Sequence, residues 1–337
     1  MGLPAAWDYS RKKQRNPDVT HHDMIGMKFR PLLLLATALP AGAALHTEVK
    51  EASLRILDGD KLVTEYRTDS RTPYLYPLLS PAGATLSRHW PADESVAGEE
   101  HDHPHHRSFW LSHGAVDGFD FWSWTGTGDP KIEHRGFSAI HSDEHSATFT
   151  ADLEWLAAGT SHLKEKRTYT FRQTDPETFE IEVATTLTPS SGKDVTFGDT
   201  KEGFFGLRVD RTLRLKGPQA KGHIALSTGL TDAACWGKRA DWSAFYGPDE
   251  SGEPAVIAMM DHPSNLRHPT WWHARDFGLL AANPFGIHNF ESKADQPHLG
   301  DYVLKKDDRL SFRYLVVLHH GSLDSAKLAD RWNAFSH

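Results

Sequence analysis

From residue 45 onward the chain alternates apolar and polar residues in short segments, and this period of two most constrains the fold. Such alternation is typical of a β-strand with one buried face and one solvent-exposed face. β-branched and aromatic residues are frequent in these segments, as pleated sheets prefer. The segments are 46–57, 61–67, 146–156, 162–173, 178–189, 204–215, 255–262, 277–285 and 309–320. We therefore predict an all-β fold, a large antiparallel β-sandwich that forms one domain over residues 45–337.

Helical patterns are scarce, and the clear one lies at the C-terminus. In residues 322–335, Ser322 is a suitable N-cap and Asp324 favours the first turn. Apolar residues then recur at the spacing of one helical face. The sequence therefore predicts a short C-terminal helix that packs on the sandwich.

The N-terminal region has the pattern of a secretion signal. Residues 27–30 are basic, residues 31–38 form the apolar run PLLLLATA, and residues 41–43 read Ala-Gly-Ala. These are the three parts of a cleavable signal peptide. We therefore assign residues 1–44 to an N-terminal extension with a signal peptide that is cleaved near Ala43 or Ala44. A periplasmic or secreted location follows.

The segment 1–26 is polar and lies upstream of this signal, so the true start is Met1, Met24 or Met27. The apolar run is shorter than the ~20 residues that span a bilayer. An alternative is an unusual tail followed by a membrane anchor. The sequence predicts no membrane span in the mature form.

The net charge and the cysteine content argue against two classes of protein: nucleic-acid-binding proteins and proteins held together by disulfides. The net charge is −8, whereas a nucleic-acid-binding protein needs a basic face for phosphates. The single cysteine, Cys235, excludes an internal disulfide. We expect a small-molecule or oligosaccharide substrate and no nucleic acid, and the sequence does not indicate the oligomeric state.

Histidine is unusually abundant, with 22 residues, and one dense group lies in HDHPHHR at 101–107. His101, His103 and His105 are two residues apart, so an extended chain would present them on one face. His106 and Arg107 follow directly. Since imidazole changes charge near neutral pH, such a cluster points to chemistry, metal binding or polar recognition.

Three interpretations of this group stay open. The first is a metal site formed by His101, His103 and His105, because imidazoles suit zinc, copper or iron; no HExxH motif accompanies them, however. The second is a metal-free acid–base site beside an arginine. The third is a polar network that fastens loops.

A second group lies in FGDTKEGFFGLRVD at 197–210. Lys201 and Glu202 are adjacent charges between glycines and apolar residues. Burial or a neighbouring charge can move the pKa of a carboxyl in such surroundings. Glu202 is therefore the best candidate for a general acid or base, although a surface ion pair would look the same. Arg208 falls within an apolar strand and needs a carboxylate partner.

The third group lies in the segment 259–286, which contains HPTWWHARD. His268 precedes a proline and should be extended. Alternation places Trp272 and His273 on opposite faces, so that one tryptophan of the pair packs in the core while the other is able to stack on a ligand. Arg275 adds a cation, and Asn283 either contacts substrate or stabilises a turn.

The motifs in these segments are similar to those of the PmoA-like family of bacterial secreted domains. The motifs that carry the resemblance lie at 73–83, 102–114, 120–122, 198–209, 260–286 and 312–321. The resemblance implies a β-supersandwich of the galactose-mutarotase type and a link to glycoside breakdown. The family label suggests methane oxidation, but a membrane monooxygenase would need many membrane-spanning helices, so we set that label aside.

We therefore hypothesise a carbohydrate-active enzyme that acts by hydrolysis, elimination or epimerisation on a glycoside or modified sugar. Glu202 would be the acid or base with His106 or His273 as its partner, and Trp272 or Trp110 would stack on a ring. The predicted substrate-binding residues are His103, His105, Arg107, His113, Lys201, Arg208, His268, Trp272, Arg275 and Asn283.

We expect no cofactor, with a divalent or transition metal at His101, His103 and His105 as the less favoured possibility. Two alternatives to the enzyme hypothesis stay open. One is a non-catalytic glycan-binding protein, and the other is a metal-dependent enzyme that uses the histidine cluster.

Overall fold

Two antiparallel sheets dominate the computed structural model, which describes residues 44–50, 53–143 and 145–337. Within these residues the first sheet has nine strands, in the spatial order β1 (Leu45–Val49), β2 (Ser53–Asp58), β3 (Lys61–Arg67), β4 (Tyr74–Tyr76), β5 (Phe109–His113), β11 (Gly203–Arg208), β17 (Leu279–Asn283), β16 (Trp271–Trp272) and β13 (Lys238–Arg239). The second has eight, in the order β12 (His223–Leu226), β14 (Trp242–Pro248), β15 (Pro254–Asp261), β19 (Leu310–His320), β9 (Thr178–Pro189), β8 (Thr160–Asp175), β7 (Ser146–Ala157) and β6 (Lys131–Ser142). The predicted all-β class is confirmed.

Small elements complete the fold of the described residues. They are the strand pair β10 (Val195–Phe197) and β18 (Tyr302–Leu304), a 3₁₀ turn (Asp232–Cys235), and the helices α1 (Ile287–Phe290) and α2 (Leu328–Ser336). The described residues all belong to one unit, 42–337.

The core lies between the two sheets, because each contributes its apolar face. Phe205 of β11 stacks on Tyr314 of β19 with ring centroids 4.7 Å apart, and Tyr66 of β3 meets Phe149 of β7 at 5.4 Å. These contacts join one sheet to the other. The alternation in the sequence is thus the alternation of core-facing and outward-facing residues.

The opposite face of the nine-stranded sheet carries a second apolar layer beneath the candidate site. Trp110 of β5 and Trp122 lie there with ring centroids 4.8 Å apart, and both are buried. Gly206 of β11 allows this close approach, because a Cβ at that position would lie 2.7 Å from Trp122 and 2.8 Å from Trp110.

Several predicted boundaries need correction. Residues 46–57 form two strands rather than one, and the segment 204–215 leaves the sheet after Arg208. The C-terminal helix begins at Leu328 instead of Ser322. Lys327 adopts a left-handed φ of 47°, which interrupts the helical pattern, and the Ser322 hydroxyl accepts a hydrogen bond within a local turn.

The predicted signal peptide lies outside the described residues, apart from Ala44, which directly precedes β1. In the described part of the chain, no helix is long and apolar enough to cross a membrane.

Candidate active site

A cleft of about 270 Å³ opens over the second apolar layer of the nine-stranded sheet. Loops before β5 and β11 and the segment between β16 and β17 supply its walls. The residues that line it are His103, His105, His106, Ser123, Lys201, Glu202, His273, Arg275, Phe277 and Leu279. Seven of these were predicted from the sequence as site residues, and residues about 170 positions apart in the sequence meet in one place.

The Lys201–Glu202 loop is held in place by its neighbours. The Asn283 side chain donates a hydrogen bond to the Thr200 carbonyl at 2.8 Å, and the Lys201 amide donates to the Asn289 side chain at 2.9 Å. The Gly114 amide donates to the Glu202 carbonyl at 2.7 Å. Lys201 forms an ion pair with Glu202, and both side chains keep partial exposure, 40% and 31%. Glu202 is thus fixed at the cleft and still accessible.

His273 is buried, and its hydrogen-bond partner determines which ring nitrogen carries the proton. Its Nδ1 lies 2.9 Å from the Lys201 carbonyl, which can only accept, so Nδ1 carries the proton. Burial lowers the pKa of His273 to about 4, against the smaller opposing effect of Glu202. At neutral pH the ring is therefore uncharged, and its Nε2 has a lone pair that can take a proton.

His106 has the opposite arrangement. An Arg208 guanidinium nitrogen lies 3.1 Å from its Nδ1, and since arginine only donates, Nδ1 accepts and Nε2 carries the proton. Burial, and secondarily the neighbouring His105, hold the pKa of His106 well below its usual range. Its Nε2 has no hydrogen-bond partner among the described residues. A buried N–H of this kind is costly unless a ligand or water accepts from it.

Asp102 is the carboxylate that Arg208 requires. It accepts from Arg208 at 3.1 and 3.2 Å, from Arg88 at 2.5 Å, and pairs with His103 at 2.6 Å. Burial acts to raise the pKa of Asp102, but the hydrogen bond to His103 and the charges of Arg208 and Arg88 outweigh it and hold that pKa well below its usual range. The network fixes Arg208, and through it the His106 ring.

His103 and His105 complete this wall of the cleft. The His103 ring stacks on His106 at 4.7 Å and on Phe277 at 5.1 Å. His105 lies edge-on to His106 at 4.4 Å. Burial and the neighbouring His103 lower the pKa of His105 to about 4. The wall is therefore a set of close-packed rings in which His105 and His106 are uncharged at neutral pH.

Arg275 differs from the other cations at the cleft, Lys201 and Arg208, which each pair with a carboxylate. Its guanidinium lies 5.4 Å from the Phe277 ring, and no carboxylate pairs with it in the part of the chain that the structure describes. Two half-buried tryptophans flank the cleft histidines: Trp124 lies 6.3 Å from His105, and Trp236 lies 6.3 Å from His273. The indole N–H of each lacks a partner among the described residues.

The structure corrects the predicted placement of the stacking tryptophans. Trp272 is fully buried, and its indole donates to the Ala240 carbonyl at 2.9 Å. Trp110 is buried beneath His106, whose ring stacks on it at 5.2 Å. Trp272 packs in the core between the sheets, on the face opposite to His273 as alternation predicted. Trp110 lies in the outward apolar layer, which is itself covered. Neither tryptophan can contact a ligand in this conformation.

Four other predicted substrate-binding residues lie away from the cleft lining. Arg107 packs over the Tyr74 ring at 5.7 Å. His113 is fully buried and donates to the Gly198 carbonyl at 2.8 Å. His268 pairs with Asp261 at 2.7 Å. Asn283, which holds the Thr200 loop, has the turn-stabilising role of its two predicted alternatives, because its oxygen also accepts from the amides of residues 285 and 286.

The histidines of the predicted metal site separate. His101 stacks on Trp90 at 4.9 Å, whereas His103 and His105 face each other in the cleft with ring centroids 5.7 Å apart. Among the described residues, these three do not bring ligand atoms within the spacing of a metal site. The proline between His103 and His105 and the left-handed φ of His103 break the extended geometry on which the prediction rested.

Sequence reasoning missed Asp102, Ser123, Phe277 and Leu279. Asp102 stands inside the histidine motif, and the need of buried Arg208 for a carboxylate was the signal that could have identified it. Phe277 and Leu279 have the composition of an ordinary apolar strand, and only the fold reveals that they reach a cleft.

A family of unknown function (DUF6807) matches residues 53–333, which is most of the chain. The protein belongs to this family. The PmoA-like label expected from the sequence motifs is not confirmed. No curated protein matches the chain.

Solved structures that resemble it are carbohydrate enzymes or their homologues at low identity. The GH36 α-galactosidase AgaA from Geobacillus stearothermophilus is 10% identical, with a TM-score of 0.36 over 85% of this chain and 41% of that one. The heparan sulfate lyase HepC from Pedobacter heparinus is 10% identical, with a TM-score of 0.34 over 84% of this chain and 36% of that one. A GalM/aldose epimerase homologue from C. elegans is 10% identical, with a TM-score of 0.33 over 83% of this chain and 100% of that one. The chain spans about two fifths of the first two.

Proposed function

We propose that the cleft is an acid–base active site for a sugar or glycoside. The observation that carries the proposal is the meeting of two uncharged histidines with opposite proton positions and one carboxylate. His273 offers a lone pair at Nε2, His106 offers an N–H donor at Nε2, and Glu202 lies beside them in the cleft lining. A reaction that moves protons to and from a sugar needs a base and a second group that carries a proton, and it is helped by an N–H that stabilises developing negative charge.

The surroundings favour a hydroxyl-rich or anionic ligand of about one ring. The cleft volume is at the small end of ligand pockets. Arg275 has a planar guanidinium without a carboxylate partner in the described residues, and it suits a carboxylate or paired hydroxyls. Trp124 and Trp236 replace the buried tryptophans as candidates for stacking on a ring.

Each residue then has a task that its contacts support. His273 acts as the base, since burial keeps it neutral at pH 7. His106 donates a hydrogen bond from its neutral Nε2–H to a developing negative charge, with Arg208 and Asp102 fixing its ring. Glu202, paired with Lys201, accepts or returns the second proton. Hydrolysis, elimination and epimerisation all use such steps.

A panel assay tests the proposal. Aldoses, uronic acids and their glycosides are incubated with the protein, and proton NMR follows anomeric exchange, release of a reducing end and formation of a double bond. We expect one of these reactions in the wild type. Glu202→Gln and His273→Gln should each slow it by about 10²–10⁴-fold, whereas Glu253→Gln, at an exposed carboxylate of the β14–β15 turn, should not.

Two results would overturn the assignment. Turnover in Glu202→Gln at the wild-type rate would remove the carboxylate from the mechanism. Binding of sugars without any conversion would indicate a glycan-binding protein instead. Folding of each variant is checked by circular dichroism.

We also propose that the chain is exported. Cleavage near Ala43 or Ala44 would leave the first strand intact, because β1 begins at Leu45. Cell fractionation with an N-terminal sequence of the recovered protein tests this. A cytoplasmic protein that retains residues 27–43 would contradict it.

A further inference from the structure

A second group of ionisable side chains lies outside the cleft. His89 belongs to the segment between β4 and β5, Asp210 follows β11, and Glu250 lies in the turn between β14 and β15. One side-chain nitrogen or oxygen from each of the three lies within 4.8 Å of the others. None of these residues lines the cleft or takes part in the proposed reaction.

Asp210 is the decisive member of the group. Its side chain is fully buried. One carboxylate oxygen accepts from the amide and the hydroxyl of Thr212, at 2.8 and 2.7 Å. The other, Oδ2, is buried and has no hydrogen-bond partner in the described part of the chain. A buried carboxylate oxygen without a donor is costly unless a cation or a proton satisfies it.

The His89 ring is held by a hydrogen bond on one side. Its Nδ1 lies 2.8 Å from the Tyr76 hydroxyl, which fixes the ring and leaves Nε2 for another contact. A hydrogen bond at the second ring nitrogen is the usual support of a metal-bound histidine.

Glu250 offers an oxygen from the solvent side. Arg211 contacts it at 2.8 and 2.6 Å, and both contacts fall on Oε1. Among the residues that the structure describes, none forms a hydrogen bond or ion pair with the other oxygen, Oε2. Glu250 is exposed, so its side chain can move to meet an ion.

We propose that His89, Asp210 and Glu250 form a binding site for a divalent transition-metal ion. One imidazole and two carboxylates are a donor set that Zn²⁺ and Mn²⁺ accept. Bonds of about 2.1 Å at tetrahedral angles place two ligand atoms about 3.4 Å apart. The observed group, whose atoms lie within 4.8 Å of one another, therefore needs at most about 1.4 Å of closure, which exposed Glu250 can provide.

The site has a structural consequence. It joins the segment before β5, the end of β11 and the β14–β15 turn, which lie on different sheets. The segment that contains His89 also holds Arg88, one partner of Asp102. A bound ion would therefore tie the cleft wall to the second sheet.

The experiment uses the full chain without a histidine tag, stripped with EDTA and dialysed. Calorimetric titration with ZnCl₂ at pH 7, repeated with MnCl₂, should show one ion per chain and a rise in thermal midpoint. Glu250→Gln should weaken binding by at least about tenfold, the loss that removing even an outer-shell partner causes. The matched control Glu253→Gln is three residues away and exposed, and it should bind as the wild type does.

His89→Gln should weaken binding to a similar extent, and because His89 is only partly buried, this variant should fold. Asp210→Asn keeps the hydrogen bonds from Thr212 and removes the charge, so it gives a third comparison. The proposal is overturned if the wild type binds neither ion. It is also overturned if binding is within twofold of wild type in Glu250→Gln or His89→Gln, because the ion would then occupy other histidines.

Discussion

The pH dependence of stability gives a direct test of the buried histidines, and His113 is the clearest case. It is fully buried among phenylalanines and lies outside the cleft lining. Burial lowers its pKa from 6.5 to about 4, with the Gly198 carbonyl opposing the change. Above pH 6.5 both the folded and the unfolded chain keep the ring neutral. Below it, the unfolded chain gains a proton that the folded chain refuses, so stability falls as the pH drops from 6.5 to 4.

The magnitude follows from the two pKa values. The slope approaches about 1.4 kcal/mol per pH unit for such a histidine only well between its two pKa values, so integration gives a loss of ~2.2 kcal/mol from His113 alone between pH 6.5 and 4.5. Urea unfolding at pH 7.0, 6.5, 5.5 and 4.5 measures this. The His113→Gln variant should lose packing energy at every pH, but its free energy of unfolding should fall less with pH than that of the wild type, by about that amount.

The control is His101→Gln, which changes an exposed histidine that stacks on Trp90. It should keep the wild-type pH dependence. If His113→Gln shows the same dependence as the wild type, His113 is not a neutral buried ring, and the argument from burial fails for His273 as well.

Three further predictions concern the core and the cleft floor. Glu165→Gln removes half of a fully buried ion pair with Arg167 and should lower the free energy of unfolding by about 3–5 kcal/mol in urea titrations; a loss under 1 kcal/mol would contradict this. Gly206→Ala places a methyl group against Trp110, so a loss of about 1–3 kcal/mol is expected, and an unchanged thermal midpoint would refute the close packing. Asp102→Asn removes the carboxylate partner of buried Arg208 and should cost about 1–3 kcal/mol in the same assay, less than a fully buried pair because Asp102 is partly exposed, whereas wild-type stability would disprove the network.

The strands could be predicted where alternation was clean. Residues 61–67 and 178–189 coincide with β3 and β9, because one face of each is buried and the other is polar. Strands without this alternation were not predicted. One example is β6 (Lys131–Ser142), most of whose residues are only partly buried or exposed. The C-terminal helix was predicted too long, since periodicity does not report the left-handed Lys327.

Most of the residues that line the cleft could be predicted from the sequence, but their arrangement could not. Dense groups of histidine, lysine and arginine outside the alternating segments marked the right loops, because polar residues that break a pattern seldom serve the core. Which side chains turn outward depended on tertiary contacts. Arg107 and Arg208 were both predicted to bind substrate, yet one packs on Tyr74 and the other reaches Asp102.

The proposed metal site illustrates the same limit. His89, Asp210 and Glu250 are separated by 121 and 40 positions in the sequence, and none belongs to a motif of ligand spacing. Only the pairing of strands from both sheets brings them together. Long-range contacts of this kind leave no periodic trace in a single sequence.

The central claim is that His106 and His273 are neutral and carry their protons on opposite nitrogens. Long-range ¹⁵N–¹H correlation spectra of histidine-labelled protein at pH 7 measure this directly, with His106→Gln and His273→Gln assigning the signals. The account predicts an Nε2–H tautomer for His106 and an Nδ1–H tautomer for His273, both uncharged. A protonated imidazolium at either position, or the reverse tautomers, would contradict it.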